Sequence, residues 1–174
     1  MSLTLKECSS KQLTQLKELS YLTYTDTFGP FNSEENMQAY LTSAYNDEKL
    51  LTELADADSI FYFLYQEETI VGYIKLNWND AQTESITENA LEIERLYVHP
   101  QHKRKGFGRF LMEQSLAIAA DKGKAHVWLG VWEHNEPAKA FYKEMGFKRQ
   151  GQHIFVMGDD EQIDYIMIKD LSSI

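Results

Sequence analysis

The most informative segment for the fold is Leu96-Tyr97-Val98-His99-Pro100-Gln101-His102-Lys103-Arg104-Lys105-Gly106-Phe107-Gly108-Arg109. Its first three residues are the last of a strand predicted over 91–98, which ends there because Pro100 cannot continue the hydrogen-bond ladder of a central strand. It ends as the start of a helix predicted over 109–122, which Gly123 terminates. A strand predicted over 125–131 follows, so these elements form a parallel strand–helix–strand unit with a right-handed crossover.

The loop of this unit is typical of an anion site. Its glycines let backbone N–H groups point inward, and the N-terminus of the next helix adds partial positive charge, which suits a diphosphate. The loop lacks the P-loop pattern, and Leu111 stands where a dinucleotide fingerprint has its third glycine. Taken alone, the loop leaves a second interpretation open, a solvated basic turn.

The segments around this unit predict an α/β domain. Ser33 and the spacing of apolar residues indicate two helices before residue 59, the first over 10–24. The other predicted elements are a hairpin of strands 60–65 and 70–77, a loop over 80–89, a helix over 136–145, and strands over 153–157 and 165–169. We therefore predict one domain spanning 1–174, with a mixed sheet and helices on both faces.

Charge is unevenly distributed along the 174 residues. The whole chain has a net charge of −10, and the segment from His99 to Arg109 carries +4, so the remainder carries −14. An acidic chain with one basic loop argues against a general nucleic-acid binder and favours a local anion site. No apolar run reaches the length of a membrane helix, and residues 1–7 lack a signal-peptide pattern, so we expect a cytoplasmic protein.

Cysteine and histidine usage limits the chemistry further. Cys8 is the single cysteine, which excludes an intramolecular disulfide and suits a reducing compartment. The five histidines show no metal-binding spacing, so we expect no metal.

A second segment completes a recognisable pattern. It reads Asn135-Glu136-Pro137-Ala138-Lys139-Ala140-Phe141-Tyr142-Lys143-Glu144-Met145-Gly146-Phe147. Together with the Leu-Tyr-Val-x-Pro strand end and the glycine loop, it closely resembles the GCN5-related N-acetyltransferase (GNAT) superfamily over residues 91–147. Lys103 departs from the family pattern, which has Gln or Arg at that loop position.

The resemblance implies acetyl-CoA as cofactor and a GNAT fold, with a mostly antiparallel sheet and a splayed parallel strand pair at the cofactor site. It implies that Asn135 hydrogen-bonds the cofactor arm and that Tyr142 lies near the CoA sulfur, where it supplies a proton. The cofactor-binding residues so implied are Leu96, Tyr97, Val98, Lys103, Arg104, Lys105, Gly106, Phe107, Gly108, Arg109, Asn135 and Tyr142.

Direct transfer to an amine needs a proton acceptor, because an alkylammonium is almost fully protonated at neutral pH. Glu92 and Glu94 are the candidates for this general base, since strand alternation places them on one face with Leu96 and Val98. An alternative is that either glutamate is a structural or substrate-steering charge.

The acceptor region, residues 21–37, resembles the bacterial PaiA-type spermidine/spermine N-acetyltransferases, as do 128–133 and 157–162. Tyr24, Asp26 and Phe28 are the predicted acceptor-binding residues. A body with a charge of −14 would attract a small cationic amine such as a polyamine, although acidity can also serve solubility alone.

The alternatives are a protein or peptide N-acetyltransferase and a non-catalytic acetyl-CoA-binding module. We expect a monomer or homodimer with no nucleic-acid or membrane partner.

Overall fold

The computed structural model describes residues 2–157 and 159–171. Its strands are β1 (Leu3–Glu7), β2 (Ser59–Gln66), β3 (Thr69–Trp78), β4 (Ala90–Val98), β5 (His126–Trp132), β6 (Lys148–Met157) and β7 (Asp160–Asp170). Its helices are α1 (Leu13–Phe28), α2 (Glu34–Ala44), α3 (Asp47–Ala55), α4 (Phe107–Asp121) and α5 (Glu136–Glu144). Of the 157–162 segment, Gly158 lies outside the described residues. No described helix is long and apolar enough to cross a membrane.

The strands form one seven-stranded sheet in the order β1-β2-β3-β4-β5-β7-β6. Within the described residues, β4 and β5 pair in parallel through α4, and the other neighbouring strands are antiparallel. The predicted strand–helix–strand unit and the mixed sheet are therefore confirmed. The sheet does not follow chain order throughout, because β5 pairs with β7 and leaves β6 at the sheet edge.

Helices cover both faces of the sheet, as predicted. On one face, the apolar sides of α1, α2 and α3 pack on β2 and β3, with Leu16, Leu41 and Leu50 buried against Phe61 and Tyr73. On the other face, α4 and α5 form a second cluster, whose fully buried members include Leu64, Ile74, Leu91, Leu111 and Met112. The sheet therefore has a hydrophobic core on each face. A side chain of β4 packs in one core or the other according to the face of the sheet on which it lies.

Two elements escaped prediction, and both are short. In β1, Leu3 and Leu5 alternate with exposed residues, but five residues of edge strand give a weak signal. In α3, Leu50 is the fully buried residue, while Asn46 caps the helix by accepting a hydrogen bond from the Lys49 N–H at 2.8 Å. Asn46 is a residue type that commonly caps helices, so the sequence contains a signal for the start of α3. The apolar face of α3, however, is too narrow to indicate a helix.

The predicted boundaries hold best where a cap or breaker marks them. Ser33 caps α2 as expected, its hydroxyl accepting from the Asn36 N–H at 3.1 Å. Helix α1 runs on to Phe28, four residues beyond the predicted end, and a 3-10 turn at 29–31 follows. Strands β6 and β7 are also longer than predicted, because most of the residues added at their ends are polar and give no alternating apolar pattern.

The approach of β3 to β4 depends on a glycine. A Cβ atom at Gly72 would lie 2.7 Å from the Tyr97 carbonyl oxygen and 3.2 Å from Leu111 Cδ1, so β3 and β4 would have to separate. We expect Gly72→Ala to lower the free energy of unfolding by about 1–3 kcal/mol in urea titrations. Gly151→Ala on β6 is the matched control, because no atom of residues 2–157 and 159–171 lies within 4 Å of its added Cβ. Equal losses in both variants would contradict this explanation.

Candidate active site

A cleft opens where β4 and β5 stop pairing. The two strands are in register only from Ala90 to Glu92 on β4, opposite 126–128 on β5. Next to this point β4 carries a bulge, since Lys75 of β3 pairs with Arg95 and Leu76 pairs with Ile93, which leaves Glu94 as the extra residue. A bulge bends its strand and commonly lies beside an active site. The splayed strand pair is therefore present as expected.

The bulge also reverses the alternation of β4. Leu96 and Val98 pack with the α4 and α5 cluster, on the same side as Leu91 and Ile93. The prediction that Glu92, Glu94, Leu96 and Val98 share one face is wrong, because one extra residue shifts every later side chain to the other face.

The cleft has a volume of about 1100 Å³ and collects nearly all residues predicted for the donor and the acceptor. The predicted residues that line it are Tyr24, Asp26, Phe28, Glu92, Glu94, Leu96, Tyr97, Val98, Lys103, Arg104, Gly106, Phe107, Gly108, Arg109, Asn135 and Tyr142. Lys105 is exposed and lies outside the lining. The described structure thus brings the predicted residues together, and the role of each one remains a prediction.

The loop before α4 has the backbone geometry of an anion cradle. Arg104 and Gly106 both adopt positive φ angles, of 64° and 83°, and Gly106 caps α4 without a side chain. Residues in alternating right- and left-handed conformations turn successive N–H groups toward one concave face. The first-turn amides of α4 add to this cradle, which therefore suits a diphosphate.

The cations around the cradle are partly committed to neighbouring acids. Lys103 forms an ion pair with Asp26 at the end of α1, and Arg109 lies 2.8 Å from a Glu144 oxygen. Asp26 therefore joins the acceptor helix to the donor loop, and its carboxylate already has a cationic partner. Asp26 also lines the cleft, and its predicted role in binding the acceptor stays a prediction.

Glu94 is held in a buried cluster of charges. Its carboxylate lies 2.5 Å from Lys75 Nζ and 3.1 Å from Arg95 Nη2, and Arg95 also binds both oxygens of Glu53 from α3. Burial opposes ionisation, but Arg95 and Lys75 outweigh it and hold the pKa of Glu94 at about 2. A carboxylate with such a low pKa is a poor general base near neutral pH, so the cluster favours a structural role.

Glu92 has a different environment. It is 3% exposed, and its carboxylate accepts hydrogen bonds from the Thr83 N–H at 2.8 Å, the Thr83 hydroxyl at 2.6 Å and Asn77 Nδ2 at 3.0 Å. Burial raises its pKa above the usual glutamate range, although these hydrogen bonds partly oppose the shift. Of the two glutamates, Glu92 has the higher proton affinity, so it is the better candidate for a general base.

Asn135 and Tyr142 occupy the α5 side of the cleft. Asn135 caps α5, its side-chain oxygen accepting from the Ala138 N–H at 3.3 Å. Tyr142 is half-buried, and burial raises the pKa of its phenol to about 12. The phenol therefore stays protonated at neutral pH, which is the state required to donate a hydrogen bond or a proton.

Several lining residues were missed in the sequence. Tyr40 comes from α2, Glu84 from the loop before β4, Trp132 from the end of β5, and His153 and Asp164 from β6 and β7. Tyr40 stacks on Tyr24 with ring centroids 4.4 Å apart. The polar residues His153 in β6 and Asp164 in β7 were a possible signal of a functional site. Their partners, however, depend on pairing between strands that are distant in the chain.

The mixed sheet, the splayed strand pair and the amide-lined loop define the fold of an acetyltransferase, and known proteins share it. The model of the acetyltransferase (GNAT) family matches residues 17–147. The chain therefore belongs to the GNAT family, and it is an N-acetyltransferase that uses acetyl-CoA as its donor.

Relatives cover almost the whole chain. An N-acetyltransferase from the pepI 3′ region of Lactobacillus delbrueckii subsp. lactis is 42% identical over 165 residues, 95% of each chain. A spermidine N(1)-acetyltransferase of Thermoplasma acidophilum is 28% identical over 177 residues, 99% of this chain and 100% of that protein. The crystal structure of PaiA N-acetyltransferase from the same organism, in complex with coenzyme A, has a TM-score of 0.79 at 27% identity and covers 98% of this chain and 99% of its own. The predicted likeness to PaiA is confirmed.

No group of three or more His, Cys, Asp or Glu side chains in the described part of the chain is placed to hold a metal ion.

The Glu94 cluster predicts a specific acid sensitivity. Its folded-state pKa of about 2 lies below the usual 4.5, so Glu94 contributes stability above pH 4.5 that is lost as the pH falls toward 2. We expect Glu94→Gln to cost about 3–5 kcal/mol at pH 7, because it leaves buried cations short of a partner. The variant should also lose less stability than the native chain between pH 4.5 and pH 2.

Urea unfolding across this pH range measures both effects. Glu144→Gln, which removes an exposed ion pair with Arg109, is the control and should cost less than about 1 kcal/mol. If the two variants lose equal stability, the Glu94 cluster contributes no more to the free energy of unfolding than an exposed ion pair does.

Proposed function

We propose that the chain transfers the acetyl group of acetyl-CoA directly to a primary amine of a small cationic acceptor of the polyamine class. The observation that carries this proposal is the reversal of charge along one cleft. Lys103, Arg104 and Arg109 line the end at the anion cradle, whereas the opposite half is lined by Glu84, Glu92 and Asp164 among its acids. A polyanionic donor and a cationic acceptor are thereby drawn to opposite halves.

The donor half is suited to a nucleotide thioester. The loop amides and the first turn of α4 would hold the diphosphate. Beyond Glu92, the edge of β4 that faces the cleft has no pairing with β5, so the main chain from Leu96 to Val98 is available for the amides of the pantetheine arm. Bound there, acetyl-CoA supplies an acetyl group activated as a thioester.

The acceptor half supplies the proton transfers. Glu92 takes a proton from the acceptor ammonium, directly or through water, and the neutral nitrogen then forms a bond to the acetyl carbon. As the carbon–sulfur bond breaks, Tyr142, which is protonated at neutral pH, donates its proton to the departing sulfur. The acylated nitrogen then loses its second proton to the phenolate, so the products are the acetylated amine and free coenzyme A. No enzyme nucleophile takes part, and Cys8 is buried in the core on the α1 side of the sheet.

One feature favours a second acceptor class. Trp132 lines the cleft and is 6% exposed, and its indole N–H has no hydrogen-bond partner among the described residues. A buried donor needs an acceptor atom, and a peptide carbonyl would supply one, whereas a protonated polyamine has none to offer. A peptide or protein N-terminus is therefore the alternative acceptor.

An amine panel separates the two classes. Release of free thiol from acetyl-CoA is measured with spermidine, spermine, aminoglycosides, amino acids and short peptides. We expect the highest kcat/KM with the polyamines, because several ammonium groups meet the acidic half of the cleft. A preference for peptides would contradict the polyamine proposal and support the alternative, and a lack of turnover with every amine would contradict both.

The base assignment predicts a pH profile. Because burial raises the pKa of Glu92, kcat should fall as the pH drops through that raised value. We expect Glu92→Gln to lower kcat by about 10²–10⁴-fold and to lose this acidic limb, while coenzyme A still binds. An unchanged rate and profile would remove Glu92 from the mechanism. Coenzyme A titration of the same variant serves as the control for folding.

A further inference from the structure

Three titratable side chains that take no part in the proposed proton transfers meet on one side of the cleft. Glu84 comes from the loop before β4, His153 from β6 and Asp164 from β7, and all three line the cleft. The His153 ring contacts the Glu84 carboxylate through Nδ1, and its Nε2 lies 3.4 Å from Asp164 Oδ2. An imidazole is thus placed between two carboxylates from different elements.

The charges of this group do not balance. The hydrogen bond with Asp164 raises the pKa of His153, burial opposes this, and the charge of Glu84 adds to the rise. Two carboxylates face a single imidazole, so the group keeps at least one negative charge whether or not His153 is protonated. In addition, Asp164 Oδ1 is buried and accepts no hydrogen bond among the described residues. A buried carboxylate oxygen without a donor is costly, so the group is suited to one more cation.

The other cationic side chains that line the cleft either have acidic partners of their own or belong to the donor loop and α4. Arg95 is bound by Glu53 and Glu94. Lys103, Arg104 and Arg109 belong to the donor loop and the start of α4. The cation that completes the Glu84–His153–Asp164 group is therefore expected from a ligand.

There is room for such a ligand beside the group. Gly130 lies inside β5, with β7 as its neighbour, yet it is exposed, because the cleft passes over it. A Cβ atom at Gly130 would lie 3.5 Å from Asp164 Oδ2 and 3.6 Å from His153 Cε1. The absent side chain leaves the cleft floor open next to both residues.

The neighbouring wall is aromatic. The Phe28 ring centroid lies 5.2 Å from that of Trp132 and 6.1 Å from that of Phe155, and all three residues line the cleft. Aromatic faces accommodate methylene groups and also attract ammonium ions. An extended chain of methylenes ending in a charge fits this combination of wall and acidic group.

We propose that Glu84, His153 and Asp164 form a second acceptor subsite, which binds the distal ammonium of a diamine or polyamine whose other amine is acetylated. This proposal rests on the proposed function, because it takes the acceptor to be a cationic amine. The distal ammonium offsets the negative charge of the group and donates hydrogen bonds to the carboxylates. A monoamine has no group for this subsite and gains nothing from it.

Calorimetric titration of the full chain with coenzyme A present tests the subsite. The titrants are spermidine, α,ω-diamines of increasing chain length, and monoamines of matching lengths. We expect Glu84→Gln and Asp164→Asn each to weaken spermidine and diamine binding by about tenfold and to leave monoamine binding unchanged. Two variants from different elements guard against a folding defect in either one. Glu88→Gln, an exposed residue of the same loop outside the cleft, is the matched control.

Two results would overturn the subsite: native protein that binds diamines no more tightly than monoamines, and variants that lose diamine and monoamine affinity equally or lose neither. The binding measurement also stands apart from turnover. If the native chain binds diamines selectively without acetylating them, the proposed function is wrong and the subsite remains. If diamines are acetylated and both variants bind them normally, the proposed function remains and the subsite is wrong.

Discussion

The cleft depends on a carboxylate that occupies one extra position in β4 and is held there by two cations. Glu94 is the bulged residue, and Lys75 and Arg95 bind its two oxygens on the side of α1, α2 and α3. Arg95 is further fixed by Glu53 and by the ring of Tyr45, 5.1 Å from its guanidinium carbon. A buried carboxylate with this many partners is stable only in one geometry, so the bulge is anchored where β4 and β5 part.

The bulge lets one strand serve two different purposes. Before it, Leu91 and Ile93 pack in the α4 core while Glu92 points to the other side, toward Asn77 and Thr83. After it, Leu96 and Val98 rejoin the α4 core, and the main chain between them faces the space left by β5. The extra residue thus keeps the apolar side of β4 continuous across a point where the hydrogen-bonding partner changes.

Local signals in the sequence predict the donor half well and the acceptor half poorly. Pro100, Gly106 and Gly123 act on their own neighbours, so the strand end, the loop and the extent of α4 follow from the sequence to within two residues. The bulge is different, because an alternation pattern contains no sign of the extra residue or of its contacts with Lys75 and Arg95. The same holds for Glu84, His153 and Asp164, whose meeting requires the registers of β5, β6 and β7.

In this protein the positions of the charges are informative about the substrates, whereas the net charge is not. A value of −10 for the whole chain says little about either substrate. Within one cleft, however, the loop cations attract a polyanion, and the acids across it attract a cation, while each half repels the other's ligand. Such repulsion discourages either substrate from binding in the wrong half, so the charge pattern sets orientation as well as attraction. The Lys103–Asp26 ion pair links the donor loop to the acceptor helix.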